Sequence, residues 1–254
     1  MSALQDRFDA IGLRITEALA RSGRERGAAR LVAVSKWHPA ESLAELARHW
    51  AATTGFGPGP LFGESYMQEA RDKMPRVSAL LADSPIIPGW HFVGHVQSKK
   101  AKDIVGRFSL IHSVDSLKLA AALDRAWQSR VEDGPRGPDD AGAAPQAVLV
   151  QVNVGREAQK SGVDPEEAEA LIDGIAAMPG LRLRGLMCLP PLQEIGRGSR
   201  PYFVMLREFR DGLEKRLGLP LPELSMGMSD DFEAAIEEGA TLVRIGTDIF
   251  GPRE

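Results

Sequence analysis

Lys36 is the first residue whose type and place suggest chemistry. It stands just past the apolar run Leu31-Val32-Ala33-Val34, separated from it by Ser35, where an ammonium is costly to strip of water. A lysine in such a site has a lowered pKa and can form a Schiff base with a carbonyl compound. Taken alone, it is accounted for as simply by a strand-end lysine snorkelling to water. A second group lies late in the chain. Gly227 and Ser229 precede a helix expected near Asp230, and Gly246 and Thr247 follow Arg244. Their backbone N–H groups and hydroxyls suit a phosphate, and a serine N-cap beside a glycine turn explains them equally well. Asp230, Asp231 and Glu233 favour a helix dipole but repel a phosphate unless they point elsewhere.

The elements that must position these groups alternate between strand and helix. Leu4, Phe8, Ile11, Ile15 and Leu19 first mark an amphipathic helix, opened by a Ser2/Gln5 capping box and ended near Gly23. Strands are then expected at 31–34, 61–62, 90–93, 110–114, 147–154, 181–189, 223–226 and 241–245, with helical patterns between them; one of these helices is expected over Val96–Val105. About eight such units close a (β/α)8 barrel. An open doubly wound sheet shares the rhythm, but neither G-x-G-x-x-G after the first strand nor G-x-x-x-x-G-K-[ST] occurs. In a barrel, the strand ends carrying Lys36, Ser229 and Arg244 share one face, with phosphate sites favoured after the last two strands. Lysine, arginine and phosphate loops together fit pyridoxal 5'-phosphate (PLP). Arg244 would face the pyridine nitrogen, and an arginine that keeps its proton makes the ring a poor electron sink.

Composition sets the outer limits. The chain has 254 residues, a formal net charge of -4 and a single cysteine. That length suits two average domains or one barrel of residues 1–254. The charge offers no general attraction for nucleic acid or an anionic membrane. Cys188 has no partner for an internal disulfide, no apolar stretch is long enough to span a bilayer, and a cytoplasmic location is expected. Residues 132–145 read as a flexible insertion on the face away from the site, and the Gly55–Pro60 stretch has the same placement. The 190–200 loop lies on the functional face. The five histidines show no metal-ligand spacing, and no metal is expected.

Several motifs in order along the chain resemble the pyridoxal phosphate homeostasis proteins. They are Ala33-Val34-Ser35-Lys36, Phe62-Gly63-Glu64-Ser65-Tyr66-Met67-Gln68-Glu69, Trp90-His91-Phe92-Val93-Gly94, Lys160-Ser161-Gly162, Gly185-Leu186-Met187, Leu224-Ser225-Met226-Gly227-Met228-Ser229-Asp230-Asp231 and Val243-Arg244-Ile245-Gly246-Thr247. The resemblance implies an alanine-racemase-like barrel with Lys36 as the Schiff-base lysine. It further implies that Ser229, Gly246 and Thr247 bind phosphate with Met228 beside it, and that Arg244 meets the pyridine nitrogen. It implies a part in PLP and vitamin B6 balance without an established reaction, so no catalytic residue is assigned. Ser65 and Lys99 stand where the family usually, or its bacterial members often, have Asn; Ser65 keeps a hydroxyl but loses the amide.

Three functions are then in competition: a PLP carrier that exchanges its cofactor with client enzymes, a PLP-dependent racemase, and a Schiff-base aldolase without cofactor. A racemase needs a base on each face of the cofactor. In two-base alanine racemases one base comes from a further domain, whereas this sequence ends at Glu254 just after the eighth strand. Tyr66 and Tyr202 are the internal substitutes, each also explained by packing. The carrier is the expectation, as a monomer or weak homodimer.

Overall fold

The computed structural model describes residues 2–53, 59–132, 144–157, 161–196 and 198–252. Most of the expected insertion and of the Gly55–Pro60 stretch, together with Lys160 and Arg197, lies outside the described residues. Eight parallel strands close into one barrel in chain order. They are β1 (Arg30–Val34), β2 (Leu61–Glu64), β3 (Gly89–Phe92), β4 (Leu110–Val114), β5 (Gln146–Val152), β6 (Leu181–Cys188), β7 (Glu223–Ser225) and β8 (Leu242–Ile245). Ring closure runs through β1 and β8, where Val32 is in register with Arg244.

The helices are α1 (Ala3–Arg21), α2 (Ala40–Ala52), α3 (Met67–Leu80), α4 (Ala101–Ile104), α5 (Leu117–Glu132), α6 (Pro165–Ala176), α7 (Arg200–Leu217), α8 (Phe232–Glu237) and α9 (Thr247–Phe250). The capping box of α1 forms as expected: the Gln5 N–H donates to Ser2 Oγ, and the Ser2 N–H donates to Gln5 Oε1. Its buried stripe of Leu4, Phe8, Ile11, Ile15 and Leu19 is the one the spacing marks. The polar face of α1 has a second use. Arg14 binds both Glu233 carboxylate oxygens and Asp248, and Arg7 Nε donates to the Ile249 carbonyl at 2.8 Å. The helix therefore anchors α8 and α9, the two short elements that follow the last strands.

Side chains on a strand alternate between its faces, and two packed regions result. Val32, Leu110, Leu149, Met187 and Leu242 cluster together inside the ring. Leu31, Ala33, Val148, Val150, Leu224 and Val243 belong to the larger core beneath the helices. All seven residues of β5 are buried, as its continuous apolar run requires.

Several strand ends shift by one or two residues from expectation, and two helices differ more. The helix expected over Val96–Val105 is a 3-10 turn (Ser98–Lys100) followed by the single-turn α4. Gln97 is extended, so Val96 is buried by the incoming loop rather than by a helix. The helix expected near Asp230 starts at Phe232. The Asp231 carboxylate first accepts the Met228 N–H at 2.7 Å, while the Asp231 and Phe232 N–H groups turn back to the Met228 carbonyl.

Candidate functional site

The inward row of β1 is Arg30, Val32 and Val34, and two residues further on it reaches Lys36. The lysine is half-buried and stands on the wall of a cavity of about 330 Å³ at the C-terminal end of the barrel. Met228, Ser229, Arg244, Gly246 and Thr247 line the same cavity. Six residues chosen from the sequence, drawn from both ends of the chain, thus meet around one space. Ser65 shares that wall and also opens onto a neighbouring groove of about 760 Å³, which Tyr66, His95 and Lys100 line as well. Lys99 is exposed and lines neither space.

The loop after β7 is shaped by Gly227, whose φ of +90° favours glycine. A Cβ there would lie 2.6 Å from the Ala235 Cβ and 2.9 Å from the Phe232 Cα. The Gly227 carbonyl accepts the Arg244 N–H at 3.0 Å and so joins this loop to β8. Among the described residues, the hydroxyls of Ser229 and Thr247 and the N–H groups of Ser229, Gly246 and Thr247 have no protein partner. The Met228 N–H is taken by the Asp231 carboxylate at 2.7 Å. The feared acidic repulsion is largely turned aside. Asp231 is buried against this loop and Glu233 is held by Arg14, while exposed Asp230 alone of the three stays on the cavity wall.

Arg244 is buried and points its guanidinium along the barrel interior. Its Nη1 donates to Ser225 Oγ at 2.6 Å and its Nη2 to the Cys188 carbonyl at 3.0 Å. Burial lowers its pKa from the ordinary arginine value, with Cys188 and Asp231 opposing the shift. Beyond Ser225 lies a chain that sequence reasoning missed. His112 Nδ1 is 2.8 Å from Ser225 Oγ, and its Nε2 is 2.9 Å from His91 Nδ1. An arginine can only donate. The Ser225 oxygen therefore accepts from Arg244, Ser225 Oγ also bonds His112 Nδ1, and His112 Nε2 in turn pairs with His91 Nδ1. Burial pushes His91 down to about 3 and His112 well below the ordinary histidine value, so both rings are neutral links. The signal available in the sequence was alternation: His91 and His112 fall on the inward rows of β3 and β4.

Cys188 is fully buried and its thiol is pushed up to about 12 by that burial, as befits an inert packing residue. Tyr66 is exposed and lies against Trp37, with ring centroids 5.0 Å apart; Tyr202 packs on the helical core. Tyr66 is absent from the 330 Å³ cavity but lines the neighbouring groove, which Lys36 borders as well; Tyr202 lines neither space.

The family model for the N-terminal domain of alanine racemase matches residues 13–254. A pyridoxal phosphate homeostasis protein of Pseudomonas aeruginosa is 42% identical over 100% of this chain and 97% of its own length. One from Aquifex aeolicus is 38% identical over 98% of both chains.

The chain belongs to the pyridoxal phosphate homeostasis protein family.

A solved structure in that family's neighbourhood is PipY of Synechococcus elongatus with PLP bound. It is 35% identical, with a TM-score of 0.70 over 93% of this chain and 100% of PipY. An alanine racemase of Clostridium difficile shares the fold, with a TM-score of 0.67 at 14% identity. The match spans 98% of this chain but 56% of the racemase, so this homeostasis-family chain corresponds to little more than half of that enzyme.

Proposed function

We propose that this chain binds PLP in the cavity around Lys36, with the cofactor held there as a Schiff base, and that it takes part in intracellular PLP balance. The observation that carries the reading is the meeting of Lys36, the buried Arg244 guanidinium and the unpartnered donors of Ser229, Gly246 and Thr247 around one space. A volume of about 330 Å³ falls in the usual range for small-ligand sites. When bound, the cofactor supplies an electrophilic aldehyde carbon to the Lys36 amine. Ser229, Gly246 and Thr247 would hold its phosphate, with Met228 beside it. Arg244 would face the ring nitrogen, and its fixed charge opposes protonation there.

Residues 1–254 would act as one binding unit that gives up PLP to client enzymes. The racemase alternative requires a second base; Tyr66 lines the neighbouring groove that Lys36 also borders, but its exposed ring lies against Trp37 rather than in the 330 Å³ cavity. No helix among the described residues is long and apolar enough to cross a membrane. The test is an absorbance spectrum of the protein mixed with PLP, before and after borohydride, followed by peptide mapping. A yellow protein with the label fixed on Lys36 is expected; a colourless protein that cannot be reconstituted overturns the reading. PLP-dependent alanine racemisation that is lost in Lys36→Ala would favour the enzyme instead.

A further inference from the structure

Behind the cavity wall, on the outward side of β1 and β2, lies a buried charged cluster that binding does not use directly. Lys73 on α3 donates to three acceptors: the Ser35 carbonyl at 2.7 Å, Glu64 Oε1 at 2.8 Å and Glu69 Oε1 at 2.5 Å. These account for all three of its protons. The Ser35 hydroxyl donates to Glu64 Oε1 at 2.7 Å, and the Ser35 N–H donates to the Gly63 carbonyl at 3.0 Å. On the far side of Lys36, the Trp37 N–H donates to Glu69 Oε1 at 2.6 Å. Lys36 is therefore gripped on both flanks by one cluster. Lys73 and Glu64 are buried, and burial raises the Glu64 carboxyl above its ordinary value against the pull of Lys73.

A buried ion pair is a poor device for stability, because desolvation offsets most of the attraction. The targets of this one are informative. Trp37 has a φ of +70°, a left-handed conformation disfavoured for any residue with a Cβ. Relaxing that turn would rotate the backbone from which the Lys36 side chain departs. Lys73 and Glu69 hold the two peptide groups that could prevent it, and Glu64 holds Lys73 and the Ser35 hydroxyl in place.

We propose that Lys73, Glu64 and Glu69 are positioning residues that lock the turn at Trp37 and so aim the Lys36 amine at the aldehyde of its ligand. This rests on the reading of Lys36 as the Schiff-base lysine. The step it assists is balanced within the two partners: nitrogen forms a double bond to the aldehyde carbon, and the carbonyl oxygen leaves as water with two protons from the amine.

The full chain is mixed with PLP, and both the growth of Schiff-base absorbance and the borohydride-trapped label on Lys36 are followed. Binding of pyridoxine 5'-phosphate, which has the phosphate and ring but no aldehyde, is measured alongside. Glu69→Ala and Lys73→Met should slow Schiff-base formation about tenfold or more, since misplacement by about 1 Å is costly to a positioned reaction. Affinity for pyridoxine 5'-phosphate should stay within about twofold, because the phosphate donors are untouched. Glu69→Gln, which keeps an acceptor for the Trp37 N–H, should recover most of the rate. If Lys73→Met fails to fold, the partly exposed Glu69 site decides. A wild-type rate in Glu69→Ala overturns the proposal, as does a parallel loss of pyridoxine 5'-phosphate affinity in both variants. If the wild-type chain binds PLP but is never trapped on Lys36, the cofactor reading falls first and takes this inference with it.

Discussion

Acid should destabilise this protein through its barrel interior, and the neutral pair His91 and His112 sets the size of the effect. In the fold His91 is pushed down to about 3 and His112 well below its ordinary value, in each case chiefly by burial. In the unfolded chain both titrate near 6.5. Above that value both states are neutral and the pair contributes no pH dependence. Below it the unfolded chain binds protons that the fold refuses, so stability falls as pH falls. Between pH ~7.5 and ~5.5 the loss is about 1.4 kcal/mol per histidine and about 2.7 kcal/mol for the pair. For a chain of this size that lowers the melting temperature by about 5–11 °C. Glu64 and Asp231, raised by burial, act with the opposite sign as their folded forms take up protons. A variant removes their influence from the comparison. His91→Gln keeps a hydrogen-bonding group opposite His112 and eliminates one titrating ring. Urea midpoints of wild type and variant at the two pH values give the difference directly. The variant should be spared about 1.4 kcal/mol of the acid loss. Equal losses in the two proteins would mean that His91 is not held neutral in the fold.

Two further outcomes follow from the same geometry. Gly227→Ala must place a methyl 2.6 Å from the Ala235 Cβ at a φ of +90°. The left-handed penalty and overpacking together cost about 2–5 kcal/mol, and the displaced loop should weaken phosphate binding; urea unfolding and a titration with inorganic phosphate check both. Cys188, with its thiol pushed up to about 12, should resist iodoacetamide at pH ~8 in the folded protein and react after denaturation. Modification of the native protein at the rate of a free thiol would contradict the buried placement.

The sequence revealed most where local periodicity governs. The α1 stripe, the continuous burial of β5 and the strand ends bearing Lys36 and Arg244 all follow from spacing within a single element. Joint placement of Lys36, Met228, Ser229, Arg244, Gly246 and Thr247 was also legible, because a closed barrel gathers the C-terminal ends of its strands. What stayed hidden depends on contacts between elements. That Asp231 would turn back to cap Met228, delaying α8 to Phe232, follows from how its side chain folds over the loop. Lys73 lies outside the quoted motifs, although its four-residue spacing from Glu69 hints at an ion pair. That both contact the peptides flanking Lys36 depends on how α3 packs beside β1. The histidine chain needed the register of β3, β4 and β7 around the ring, which no single segment encodes.

The closing pair of strands has a consequence for biosynthesis. Lys36 follows β1 and the residues that share its cavity follow β7 and lie on or after β8, so residues from opposite ends of the sequence become neighbours only when β1 pairs with β8. A growing chain that has not yet released β8 already carries its lysine but lacks Arg244, Gly246 and Thr247, and has no cavity for a ligand to enter. If the proposed PLP site is right, a partial translation product that lacks β8 cannot assemble it, and binding must wait for the ring to close.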